Sequence, residues 1–179
     1  MKSVKKFLEK FLKLKVNETK SGHAPVSERQ FLGYRLLVEG KLVIAERSVV
    51  RLKEKVRRIT KRSRGVSLET VIAELNQTLR GWVNYFQLTE WPSQLEDLDK
   101  WIRRKVRCYR LKQRKKSKSI AEFLTSLGVP KCSAWPLANS AKGWWYLSMS
   151  IPVHHAMNKA WFNEQGLINL KQEMVLVKV

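Results

Sequence analysis

The chain has 179 residues, 44% of them apolar, and carries 36 lysines and arginines against 15 acids, for a net charge of +21. That length accommodates one domain, or one with a small appendage, and no run of about 18 apolar residues is present to supply a transmembrane helix. The two cysteines, Cys108 and Cys132, stand outside any CxxC or Cys/His cluster, which argues against a disulfide framework or a zinc site and for a reducing, cytoplasmic setting.

In chain order, residues 2–13 read as a basic amphipathic helix whose Val4, Phe7, Leu8, Phe11 and Leu12 need a partner to cover them. Glu9 and the lysines interrupt any apolar run there and no small-residue cleavage site follows, so no export signal is read. Residues 14–17, 30–38 and 41–45 look like short strands, the last two joined at Glu39-Gly40-Lys41 as a hairpin. Helices are predicted at about 48–63, 67–86 and 93–116, antiparallel and with short connections. Their apolar stripes recur at spacings of three and four: Val49, Leu52, Val56 and Ile59, then Leu68, Ile72, Leu75, Leu79, Trp82 and Phe86, then Leu95, Leu98, Ile102, Val106 and Tyr109. Ser67 is expected as an N-cap, and Ser93 with Glu96 and Ser119 with Glu122 stand in capping-box register. A short helix after Ser119 should end at Gly128. Pro130, Pro136, Gly143 and Pro152 then punctuate an irregular stretch before a last helix near 153–162. The fold expected is mainly α: a three-helix bundle over 47–118, a small α/β segment over 1–46, and an irregular helical extension over 119–179.

The charge is concentrated. Residues 51–64 hold eight Lys/Arg against Glu54 alone, residues 100–118 hold eleven and no acid, and the last 61 residues hold five bases and three acids. In the first block Arg51, Lys55, Arg58 and Arg62 repeat opposite the apolar stripe. In the second, Arg103, Arg107, Arg110 and Arg114 form a ridge, with Arg104, Lys115 and Lys116 beside or beyond it. A basic ridge is often just a solvated face. Here the neutralising acids are missing, and like charges at i,i+4 destabilise a helix by about 0.2–0.5 kcal/mol per pair, so a polyanion is the expected cover, nucleic acid first. Glu96, Asp97 and Asp99 open the third helix and cations close it, as the helix dipole favours.

Between the ridges lies "LRGWVNYFQL", residues 79–88. Trp82 and Phe86 fall on the apolar stripe and read as core, base stacking by Trp82 being the alternative. Gly81 sits mid-helix at a cost of about 1 kcal/mol relative to alanine, which suggests close approach of another backbone, protein or RNA. Arg80 and Asn84 share a face and suit either solvent or a ligand. Of Trp135, Trp144, Trp145 and Trp161, expected to consolidate a small subdomain, Trp145 is the best candidate for a surface stacking platform. Adjacent on a helix, His154 and His155 would point about 100° apart and not chelate one ion; His23 has no visible partner.

"LRGWVNYF" followed by "LDKWIRRKVRCYRLKQRKK" resembles the maturase-specific region, also called domain X or thumb, of group II intron reverse transcriptases. "KGWWYLSMSIPVHHAMNKAWFNEQGLINL" is similar to the usual ending of that region, and "LKLKVNETKS" with "FLGYRL" looks like the last pieces of the polymerase palm, so that the resemblance spans roughly residues 5–170. It implies a chain that binds structured intron RNA and helps it reach a splicing-competent shape, the chemistry belonging to the RNA. Polymerase chemistry needs clustered carboxylates for two metal ions, which the family supplies from a YADD motif; this sequence has no such motif, and its only aspartates are Asp97 and Asp99. No catalytic residue, metal site or cofactor is therefore predicted, and no membrane partner. The expected RNA contacts are Arg51, Lys55, Arg58, Arg62, Arg80, Asn84, Arg103, Arg104, Arg107, Arg110, Arg114, Lys115, Lys116 and Trp145. Two alternatives stand beside this: an inactive remnant of an RNA-directed DNA polymerase, and a general nucleic-acid-binding protein that also takes DNA. The Phe7 and Phe11 face suits dimerisation with a second copy of the chain, and a separate palm-containing partner chain is the other expected protein partner.

Overall fold

A computed structural model describes residues 2–17, 22 and 24–177, so His23 lies outside the described residues. The N-terminal pattern forms α1 (Lys2–Lys10), shorter than 2–13, with the Phe7 and Phe11 rings stacked at 5.3 Å on a face that stays open to solvent. Residues 14–17, expected as a strand, run as irregular chain and pair with no strand among the described residues.

The single strand expected over 30–38 is two. β1 (Gln30–Phe31) and β2 (Tyr34–Leu36) fold on each other about Leu32 and Gly33, whose φ values of 50° and 80° are both left-handed. A two-residue turn of that kind matches the right-handed twist of the strands it joins. Gly33 is required there, because a Cβ would come within 2.8 Å of Ser48 Oγ and 3.1 Å of the Phe86 ring. β3 (Leu42–Ile44) pairs antiparallel with β2, Tyr34 facing Ile44 and Leu36 facing Leu42. The small sheet is bound to the helices that follow. Tyr34 donates its phenol hydrogen to the Tyr85 carbonyl at 2.9 Å, and Tyr85 returns one to the Leu32 carbonyl at 3.0 Å.

The three long helices are α2 (Glu46–Ile59), α3 (Leu68–Tyr85) and α4 (Pro92–Arg114). Their predicted stripes are the core: Leu52, Val56, Ile59, Leu68, Ile72, Leu75, Leu79, Phe86, Leu95, Leu98, Ile102, Val106 and Tyr109 are all buried, with Val49 and Trp82 packed against them. α2 ends four residues earlier than expected. Thr60 Oγ1 donates to the Val56 carbonyl, and the Arg64 guanidinium turns back to the Ile59 carbonyl at 2.8 Å and to both Glu74 oxygens at 2.8 and 2.7 Å. Ser67 caps α3 as expected, accepting from Thr70 N at 3.1 Å. The other two capping boxes do not form. α4 starts at Pro92, whose fixed φ and missing N–H suit the first helical position, and α5 (Ser117–Ser126) starts two residues before Ser119, so Ser93 and Ser119 both lie inside their helices. Gly128, at φ 87°, closes α5 as anticipated.

The stretch expected to be irregular is a chain of short helices: α6 (Lys131–Ala138), α7 (Trp144–Leu147), α8 (Ile151–Ala156), α9 (Lys159–Glu164) and α10 (Leu170–Val177). The last predicted helix is split where Asn158 Oδ1 accepts from Trp161 N at 3.1 Å and caps α9. This C-terminal segment is strapped to the bundle. Asn76 donates to the Gly166 carbonyl at 2.7 Å and accepts from Ile168 N, while buried Asp99 accepts from Leu170 N at 3.2 Å. Buried apolar contacts run continuously from Ile44 to Met174.

Candidate nucleic-acid interface

With the apolar stripes of α2 and α4 turned inward, two further sets of side chains converge. Lys53 Nζ and the Arg57 guanidinium of α2 stand 5.8 and 5.5 Å from the centre of the Trp101 ring on α4. Lys105 stands between Trp101 at 5.5 Å and Trp145 of α7 at 4.6 Å. The Arg104 guanidinium lies 3.7 Å over the Trp145 ring and donates to the Trp145 carbonyl at 3.0 Å. Arg62 joins them beside Cys108: burial pushes that thiol up, opposed by the positive field of Arg62, Lys105 and Arg104.

Five cations and two indoles therefore share one face, and among the described residues no carboxylate forms an ion pair with any of the five. The electrostatic consequence is visible at Lys105. Its ammonium is pulled below the ordinary lysine range first by burial and then by Arg57, Arg62 and Arg104, with the Cys108 sulfur opposing. A surface that holds mutually repelling charges over aromatic planes suits a ligand with phosphates to neutralise the cations and bases to stack.

The remaining α2 cations are exposed. Arg51 and Lys55 line a groove of about 680 Å³ with Gly81, Trp82 and Tyr85 of α3 and the Leu32-Gly33 turn; Arg58 is open to solvent. A Cβ at Gly81 would meet nothing within 4 Å, so no backbone among the described residues makes the close approach expected there. Arg80 is exposed at the far side of α3, its Nε 3.8 Å from Glu173, and Asn84 is exposed.

The α4 ridge is not one continuous exposed line. Arg107 is buried at 5% exposure, its Nε donating to the Met157 carbonyl at 3.0 Å, because α8 packs over the middle of the ridge. Burial and the neighbouring Arg103 charge bring its guanidinium down to about 10. Arg103 opens into a polar pocket next to α9 and α10. Arg110 and Arg114 lie over the Phe123 ring at 5.1 and 4.5 Å, and their Nε atoms, like that of Arg104, are buried without a hydrogen-bond partner. Lys115, at φ 58°, and Lys116 extend past the helix end into solvent. Trp145 is 37% exposed and Trp135 41%, whereas Trp161 is buried and Trp144 packs against the core.

Lys53, Arg57, Trp101 and Lys105 were not among the residues singled out by sequence. Their signal is present in the sequence: Lys53 and Arg57, and likewise Trp101 and Lys105, are spaced i,i+4 and so share a helix face, whereas the arginine-rich ridges lie on other sides of the same helices.

Residues 49–126, which run from α2 to the end of α5, match the family described as the group II intron, maturase-specific domain. No curated protein matches the chain significantly.

Proposed function

Residues 49–126 being a group II intron maturase-specific domain, we propose that this chain binds folded group II intron RNA and stabilises its splicing-competent shape, the RNA supplying the chemistry. The observation that carries the reading is the convergence of Lys53, Arg57, Arg62, Arg104 and Lys105 on Trp101 and Trp145 with no acid paired to them among the described residues. Guanidinium forks and ammonium groups match the phosphates of an RNA helix, which is recognised largely by shape, while the partly exposed indole of Trp145 offers a surface on which an unpaired base stacks. Arg51, Lys55 and Arg58 add exposed cations on another side of α2, and Lys115 and Lys116 add them past the end of α4. No helix is long and apolar enough to cross a membrane among the described residues.

The test is splicing of a group II intron RNA at limiting Mg²⁺, with the full chain, without it, and with a Lys53→Gln/Arg57→Gln/Lys105→Gln variant. The reading expects splicing to be rescued by the full chain and the rescue to be lost in the variant. Equal splicing in all three reactions would overturn it. Equal affinity for the intron, an unrelated RNA and duplex DNA would instead favour a general nucleic-acid-binding protein.

A further inference from the structure

About 200° around α4 from Trp101, at 100° per residue, the opposite side of the helix closes a second, polar cavity of about 560 Å³ against α8, α9 and α10. We propose that this cavity is a phosphoryl-anion site, distinct from the RNA face, with Arg103, Arg107, Lys159 and His154 as its ligands.

The charge balance comes first. Lys100, Arg103, Arg107, Lys159 and Lys171 line the cavity against two carboxylates, Glu96 and Asp99. Both carboxylates are already engaged: Glu96 accepts from Lys171 Nζ, and buried Asp99 accepts from Leu170 N at the start of α10. Lys100 pairs outward with Asp97 at 3.0 Å. That leaves Arg103, Arg107 and Lys159 with no carboxylate at ion-pair distance among the described residues; the Asp99 charge still acts on Arg103 and the Glu96 charge on Lys159, and the five cations against two carboxylates leave the common space with an excess of positive charge.

Arg107 makes this a built site and not a loose surface cluster. Its side chain is almost wholly enclosed, and the bond from Nε to the Met157 carbonyl at 3.0 Å fixes the guanidinium plane. Nη1 lies 3.5 Å from His154 Nε2, so imidazole and guanidinium border the cavity together. Enclosing an arginine beside Arg103 with no acid bonded to it is costly unless an anion completes the set. Asn158, Asn169 and Gln172 add uncharged donors at the rim. Forked guanidinium donors, an ammonium group and amide N–H groups converging on one space suit tetrahedral phosphoryl oxygens. A terminal phosphate of RNA and a phosphate of its backbone share that chemistry.

The test uses the full chain and inorganic phosphate by titration calorimetry, with ionic strength held constant by chloride. Arg103→Gln/Lys159→Gln removes two of the ligands while leaving Arg107 to hold Met157. Lys53→Gln/Arg57→Gln removes the same charge from the RNA face. Phosphate is expected to bind the unaltered chain and the second variant equally, and the first variant about tenfold or more weakly, since hydrogen bonds to charged groups contribute about 1.5–3 kcal/mol and 1.4 kcal/mol is a factor of ten. An RNA hairpin with a 5′-phosphate and the same hairpin with a 5′-hydroxyl separate the sources: preference for the first assigns the site to a terminal phosphate, and equal binding that Arg103→Gln/Lys159→Gln weakens assigns it to the backbone. No phosphate binding beyond the chloride control, or equal loss in the two variants, would overturn the proposal. Because the phosphate titration contains no RNA, its outcome is independent of whether the α2/α4 face binds an intron.

Discussion

Trp145 shows how a single side chain joins structure to binding. Arg104 and Lys105 stand over its indole at 3.7 and 4.6 Å, and 37% of the residue remains open. Base–aromatic stacking contributes about 1–3 kcal/mol per base, so Trp145→Ala should weaken RNA binding by that amount while Trp145→Phe recovers part of it; fluorescence anisotropy with a labelled intron fragment reads both. His154 supplies a different residue-scale expectation. Burial first, then the charges of Arg107, Arg104 and Arg103, hold its imidazole below the ordinary histidine range. A depressed folded-state value means that the native state resists protonation, so this contribution to stability is intact above about pH 6.5, the unfolded value, and is lost as the pH falls through the lower folded value. Thermal melts below neutral pH should decline less steeply in His154→Gln than in the unaltered chain. Arg107 is the residue whose place the sequence concealed. Its spacing put it on the ridge, but the group that buries it is the Met157 carbonyl, fifty positions away, and no local pattern announces that contact.

At the scale of elements, α2, α3 and α4 were legible because long amphipathic helices bury a stripe at the helical period, and the stripes read from sequence are those that pack. Ser67 was legible as a cap for an equally local reason, and Ser67→Ala should cost about 1 kcal/mol in urea unfolding. Unchanged stability would show that the Thr70 amide finds another partner. The turn between β1 and β2 was hidden because one of its two left-handed positions is Leu32, a residue rarely found there. α6, α7 and α10 were hidden by their shortness, and α8 and α9 were read as one helix: elements of four to eight residues do not complete enough turns to show a period, and proline at 136 and 152 reads as a breaker even though Pro152 sits in a first turn. Tyr85 links the two regions, and Tyr85→Phe should lose its bond to the Leu32 carbonyl for about 0.5–1.5 kcal/mol, measurable by the same unfolding titration.

At the scale of the molecule, the net charge of +21 led to the expectation of a polyanionic partner, and residues 49–126 match the group II intron, maturase-specific domain. What the charge could not show was its distribution over the surface. The cations of α4 divide among three settings: Arg104, Lys105 and Lys112 over tryptophan, Arg110 and Arg114 over Phe123, and Lys100, Arg103 and Arg107 at the polar cavity. Only folding sorts them, because the helices that cover one side of α4 come from residues 144 to 177. The central claim is that the α2/α4 face takes the RNA, and its most direct test is the salt dependence of intron RNA binding for the full chain and for Lys53→Gln/Arg57→Gln/Arg62→Gln/Lys105→Gln. Each phosphate contact contributes about 0.7–0.9 to the slope of log affinity against log salt. The account predicts that the four substitutions flatten the slope by about 3, and a variant slope equal to that of the unaltered chain would contradict it.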